Sequence, residues 1–128
     1  MTVVDKLLEW LAGFERFSEL TPTLGEWVEG PEDAGARFLS INMESSPRPG
    51  VVAQAQNLRL YITSQRNGDD IAGAKWDAYE MATALAAYIV DKRTSSCFEN
   101  VVLLAGIIGP MTTTQGRACY EINLQITT

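Results

Sequence analysis

The clearest pattern in the chain runs from Ile71 to Val90, IAGAKWDAYEMATALAAYIV. Ile71, Ala74, Ala78, Met81, Ala82, Leu85 and Ile89 recur at three- and four-residue steps, which makes one apolar stripe on a helix. Asn67-Gly68 ahead of it signals a turn, and Asp69 or Asp70 suits the N-cap, where a carboxylate meets the positive helix end. A second apolar edge carries Ala72, Trp76, Tyr79, Ala86 and Val90. Only Asp77, Glu80, Ala84, Ala87 and Asp91 form a strip fit for water. A helix apolar over most of its circumference is covered on more than one side. A sheet of the same fold is expected on one side, and the first helix or a neighbouring subunit on the other.

The remaining pattern is shorter in wavelength. Val3, Val4, Leu7, Trp10, Leu11, Phe14 and Phe17 predict an amphipathic first helix to about Phe17, with Thr2 and Asp5 placed as a capping box. Ser18 to Thr23, with Pro22, reads as a turn. Leu24 to Glu29, around Trp27, is a short candidate strand, and Gly30 to Gly35 a loop. Arg37 to Glu44 and Asn57 to Ser64 alternate as half-buried strands, the second starting as early as Ala53. Between them Ser45 to Gly50 holds Pro47 and Pro49 around Arg48, which forbids regular structure and suggests a projecting arm or an ordinary loop. Asp91 to Asn100 is a polar link. Val101 to Ile108 is an apolar run of strand length that Gly109-Pro110 ends, and Met111 to Gly116 is a loop or hairpin connection. Arg117 to Thr127 is a long alternating strand whose Cys119, Glu121, Asn123 and Gln125 suit a face covered by water or another protein.

The order of elements predicts a single α+β domain over residues 1–128. It has a mostly antiparallel four- to five-stranded sheet with both helices packed on one face. The short polar links on either side of the long helix favour antiparallel neighbours.

Composition narrows the chemistry. The chain has 128 residues and a net charge of −6, with ten Lys and Arg scattered along it. Backbone binding to nucleic acid needs clustered cations, so that task is disfavoured. There is no histidine and there are two cysteines, Cys97 and Cys119. Two lone cysteines fall short of a zinc site, and nucleophile systems that need a His partner are excluded. Asp69-Asp70 and Glu32-Asp33 read as a cap and a solvated turn. Ala105 to Gly109 lacks the Lys-Ser/Thr ending of a phosphate loop. No apolar run has membrane-spanning length, and the acid-bearing N-terminus has no basic leader, so an intracellular origin is expected. No catalytic residue, cofactor or metal ligand is expected; the residues point to binding or assembly.

The layout as a whole resembles a known family. An N-terminal amphipathic helix leads to a strand, a proline-rich loop and a strand ending in TSQRNGDD. The helix WDAYEMATALAAYIV follows, then an apolar strand ending in IIGP and the strand QGRACYEINLQIT. Tyr79 among alanines, Gly109-Pro110 and Gly116-Arg117 carry the likeness. This is similar to the tail terminator and minor capsid (head–tail joining) proteins of long-tailed bacteriophages.

The resemblance implies a structural virion protein made in the host bacterial cytoplasm. It implies a hexameric homo-oligomer, ringed on the head-proximal end of the tail tube. Its partners would be the tail tube protein and the head connector or neck protein, with DNA passing through the lumen without sequence-specific binding and no membrane involved. Trp76, Tyr79 and Val90, together with Pro47, Arg48 and Pro49, are then expected at subunit contacts. The alternatives are another neck or tail-completion protein of the same fold, or a small bacterial α+β binding module.

Overall fold

The computed structural model describes residues 3–25, 35–43, 55–65, 70–92, 98, 100–104, 106–112 and 116–127. Its elements are α1 (Val3–Leu11), β1 (Leu20–Leu24), β2 (Arg37–Met43), β3 (Ala55–Thr63), α2 (Ile71–Asp91), β4 (Asn100–Leu103), β5 (Ile108–Thr112) and β6 (Ala118–Thr127). The expected α+β class holds. The sheet is mostly antiparallel but has six strands, one more than the upper expectation, in the order β1-β2-β3-β6-β4, with β5 also on β6.

The extra strands arise where composition hid them. The apolar run from Val101 to Ile108 is not one strand. β4 pairs with the C-terminal half of β6 (Val101 opposite Ile126) and β5 with its N-terminal half (Ile108 opposite Glu121). Two short strands thus share one edge of a ten-residue partner. The Gly109-Pro110 pair, expected to end a strand, lies inside β5 with a cis peptide bond and φ of +144° at Gly109. Glycine is required there, because a Cβ would come within 2.9 Å of the Tyr120 ring.

β1 occupies the stretch expected to turn. It runs parallel to β2, with Pro22 opposite Leu39. The Gly25 N–H donates to the Ile41 carbonyl. Alternate residues of a parallel strand point their backbone groups to the same side, so Pro22 turns its missing N–H outward, away from β2. An edge strand is where the ladder tolerates proline. Of the strand expected at Leu24 to Glu29, Leu24 ends β1 and Gly25 lies just past it; residues 26–29 lie outside the described residues.

The first helix ends at Leu11, short of Phe17. Turns at Gly13 and Phe14 break it, and a single 3-10 turn spans Phe17–Glu19. A side chain at Gly13 would press on the Tyr88 hydroxyl, at 2.7 Å. Phe14 still reaches the core from this irregular backbone.

One layer of side chains joins sheet and helices. Leu39, Ile41, Leu58, Leu60, Ile62, Ile122, Leu124 and Ile126 form the inner face of the sheet, each 1% exposed or less. α2 lays Ala74, Ala78, Met81, Ala82, Leu85 and Ile89 on it, the face that the periodicity predicts except at Ile71, which opens the helix and is 37% exposed. Asp70 caps α2, its carboxylate accepting from the Gly73 N–H at 2.9 Å. α1 joins the C-terminal half of α2. The Tyr88 hydroxyl donates to the Trp10 carbonyl at 2.6 Å, and the Trp10 indole N–H donates to the Lys92 carbonyl at 3.1 Å. Arg117, fully buried, donates to the Ala36 and Ser64 carbonyls at 2.6 and 2.7 Å and lies over the Phe38 ring. It ties the adjoining ends of β2, β3 and β6 together.

Candidate association surface

α2 places Trp76, Tyr79 and Val90 on its outer side, 65%, 43% and 55% exposed. The first helix does not cover them. Trp10 of α1 and Phe14 just beyond it instead meet Tyr88, with ring centroids 5.2 Å and 5.5 Å away. α1 therefore takes the flank of α2 that carries Tyr88 and leaves the edge with Trp76 and Tyr79 open. Trp76 stands edge-on to Tyr79 at 5.9 Å, and Tyr79 edge-on to Tyr120 at 5.8 Å. These rings, with Ala72 and Lys75, line a cleft of about 370 Å³.

Val90 belongs to a second depression. A groove of about 930 Å³ runs between the C-terminal half of α2 and β4, lined by Thr83, Ala86, Ala87, Val90, Asp91, Asn100 and Leu103. The three residues thus share one side of the helix but split between a bulky end and a hollow end. From Trp76 to Val90 the helix rises roughly 21 Å, at ~1.5 Å per residue. The expected contact residues Pro47, Arg48 and Pro49 lie outside the described residues.

Sequence reading assigns Tyr120 by alternation to the buried set of β6, where it lies, but missed that its ring would also meet Tyr79 at the cleft. It also missed the exposed Val102, Leu104, Ile108 and Met111 along the β4–β5 edge. Splitting the apolar run at Gly106 was the available signal.

The strip expected to face water is only partly wet. Ala84 packs against the core, and Asp77 is half-buried in a forked pair with Arg37, at 2.9 to 3.2 Å. Arg37 also reaches Glu19 at 3.4 Å, and Glu19 pairs with Arg16 at 2.9 Å. The hydrogen bond from Arg16 holds the Glu19 carboxyl below its usual range, with Arg37 adding to the effect. On the outer face of the sheet the polar set is knitted together. Asn123 donates to Glu121 and Gln125 to Asn57, both at 3.1 Å, with Arg59 3.8 Å from Glu121. Burial pushes the Cys119 thiol up, so it is held as a thiol rather than a thiolate nucleophile. Among the described residues no group of three or more Asp, Glu, Cys or His side chains is placed to hold a metal ion. No helix there is long and apolar enough to cross a membrane.

The fold and this surface define a class: a small α+β protein with one open, mostly antiparallel sheet and an exposed aromatic stripe on its long helix. The family follows from the sequence profile of phage tail termination proteins, which matches residues 1–128. The chain belongs to that family and is a structural protein of the phage tail. No curated protein matches the chain.

Proposed function

We propose that this protein closes the head-proximal end of the phage tail tube as a hexameric ring, stops tube growth there and offers the surface to which the head connector binds. The observation that carries the reading is the family match over residues 1–128, to which α2 adds an exposed aromatic stripe suited to protein contact. Tail tube protein lies on one side of the ring and the connector or neck protein on the other. DNA passes through the lumen, and a chain of net charge −6 gives it no cationic track to grip. Trp76, Tyr79 and Val90 line a contact between subunits, and the segment around Pro47, Arg48 and Pro49 reaches across it.

The test is to add the purified protein to growing tail tubes and image them by negative stain. Tubes of limited length, capped at one end by a six-fold ring, are the expected outcome. A protein that ignores tubes and stays monomeric would fit the small binding module instead. Recovery with the connector but not with tubes would fit a different neck protein. Tyr79→Asp should keep the fold but lose the ring; rings that persist unchanged would remove Tyr79 from the contact.

A further inference from the structure

The stripe on α2 has a second regularity. Ala72, Trp76, Tyr79, Thr83, Ala86 and Val90 follow one another at steps of four, three, four, three and four residues. That spacing is the seam by which two helices pack along their length. Here it faces away from the core. The stripe is also graded in size. Trp76 and Tyr79 project on the N-terminal side of Thr83, while Thr83, Ala86 and Ala87 floor the groove beside Val90 on the C-terminal side.

A surface with knobs at one end and a hollow at the other is complementary to itself when one copy is turned end for end. Two-fold symmetry centred on Thr83 sets Trp76 of one copy level with Val90 of the other, and Tyr79 level with Ala87. Each indole then enters the groove between α2 and β4. At the groove's end Asp91 and Asn100 supply oxygen acceptors for its N–H, which a tryptophan buried in a contact requires. A parallel pairing would instead stack Trp76 on Trp76 and leave both grooves empty.

We propose that two copies of this chain pair through α2 in antiparallel fashion, each inserting Trp76 into the other's α2–β4 groove. This rests on the reading of the stripe as a contact between copies, and not on the ring itself. One stripe serves one contact at a time, so the two-fold dimer and the ring contact exclude each other. The dimer is the form held in solution, and assembly on a tube end draws protein out of it.

The test uses the full chain without tail tubes, by sedimentation or light scattering over a dilution series. A reversible dimer is expected. Trp76→Ala should raise its dissociation constant about a hundredfold, since two symmetry-related anchors go at once. Ala87→Trp, which fills each copy's own groove, should have a similar effect. In both variants far-UV circular dichroism stays unchanged, and the melting temperature loses the dependence on protein concentration that the parent dimer shows. In a Cys97→Ser background, Thr83→Cys at the symmetry centre should form an intermolecular disulfide. Ala86→Cys should not, because the antiparallel arrangement offsets the two positions by about 9 Å along the axis. A monomer at every concentration, a dimer indifferent to both Trp76→Ala and Ala87→Trp, or ready cross-linking through Ala86→Cys would each overturn the proposal. Failure to cap tubes would not bear on it, and the two readings fail separately.

Discussion

The two sides of α2 carry comparable apolar content but opposite kinds of it. Toward the sheet stand Ala74, Ala78, Met81, Ala82, Leu85 and Ile89, none more than 3% exposed. Away from it stand Trp76, Tyr79 and Val90, all more than 40% exposed. The inner side uses three alanines so that the helix backbone comes close to the inner face of the sheet, and flexible or branched aliphatics fill what remains. The outer side leaves Trp76 and Tyr79 uncovered by the rest of their own chain, where they supply the large, rigid contact area that interfaces favour. Periodicity alone treats both sides as apolar. Side-chain size separates them.

The largest expected effect comes from hollowing the inner side. Leu85→Ala should cost about 3 kcal/mol, from lost burial plus the cavity it leaves. For a chain of this length the melting temperature should fall by roughly 10 °C. A loss below about 1 kcal/mol in urea unfolding would mean that α2 is not seated on the sheet as described.

Overfilling sharpens the contrast between the sides. Ala78→Leu, at a position 1% exposed, should destabilise by about 1–3 kcal/mol. The same change at the exposed Ala87, measured at dilutions where the chain is monomeric, should stay within about 0.5 kcal/mol. Equal effects in thermal melts would erase the distinction.

At the boundary between the sides, Asp77 ties α2 to β2 through the forked pair with Arg37. Asp77→Ala should cost about 1 kcal/mol, more than an exposed pair because both partners are mostly covered. The loss should shrink when Arg37 is also changed to Ala, which a double-mutant cycle reads directly.

The smallest effect lies at the end of the same chain of charges. The Glu19 carboxyl is held below its usual range by the Arg16 hydrogen bond. Its folded value is lower than its unfolded one, so its contribution is present at neutral pH and is lost as pH falls below about 4, through the folded value. Glu19→Gln should lower the urea midpoint slightly at pH 7, and the difference from the parent should shrink as pH falls through the folded value. A difference that grows on acidification would reverse the sign assigned here.

Much of this was legible in the residues. The inner stripe of α2, its start at Asp70, and the alternation of β2, β3 and β6 follow from periods of 3.6 and 2, which depend only on local geometry. The elements misread are those whose state depends on a distant partner. β1 is a strand because β2 offers it an edge and Pro22 can turn its bare nitrogen outward. β4 and β5 are two strands because β6 is long enough to pair with both. Tyr120 is core, as its alternation reads, and one face of its ring still meets Tyr79 at the cleft, a contact that only the packing of α2 on β6 creates.

By itself the sequence determined the class of fold, the buried face of the long helix and, through its whole-length layout, the phage tail family. The tertiary structure alone decided that α1 goes to Tyr88 and not to Trp76, that the outer stripe splits into a bulky end and a hollow end, and that six strands share the sheet. The reason is physical. A hydrophobic period records which side chains avoid water, but not which neighbour shields them; that choice is made by packing between segments far apart in the chain.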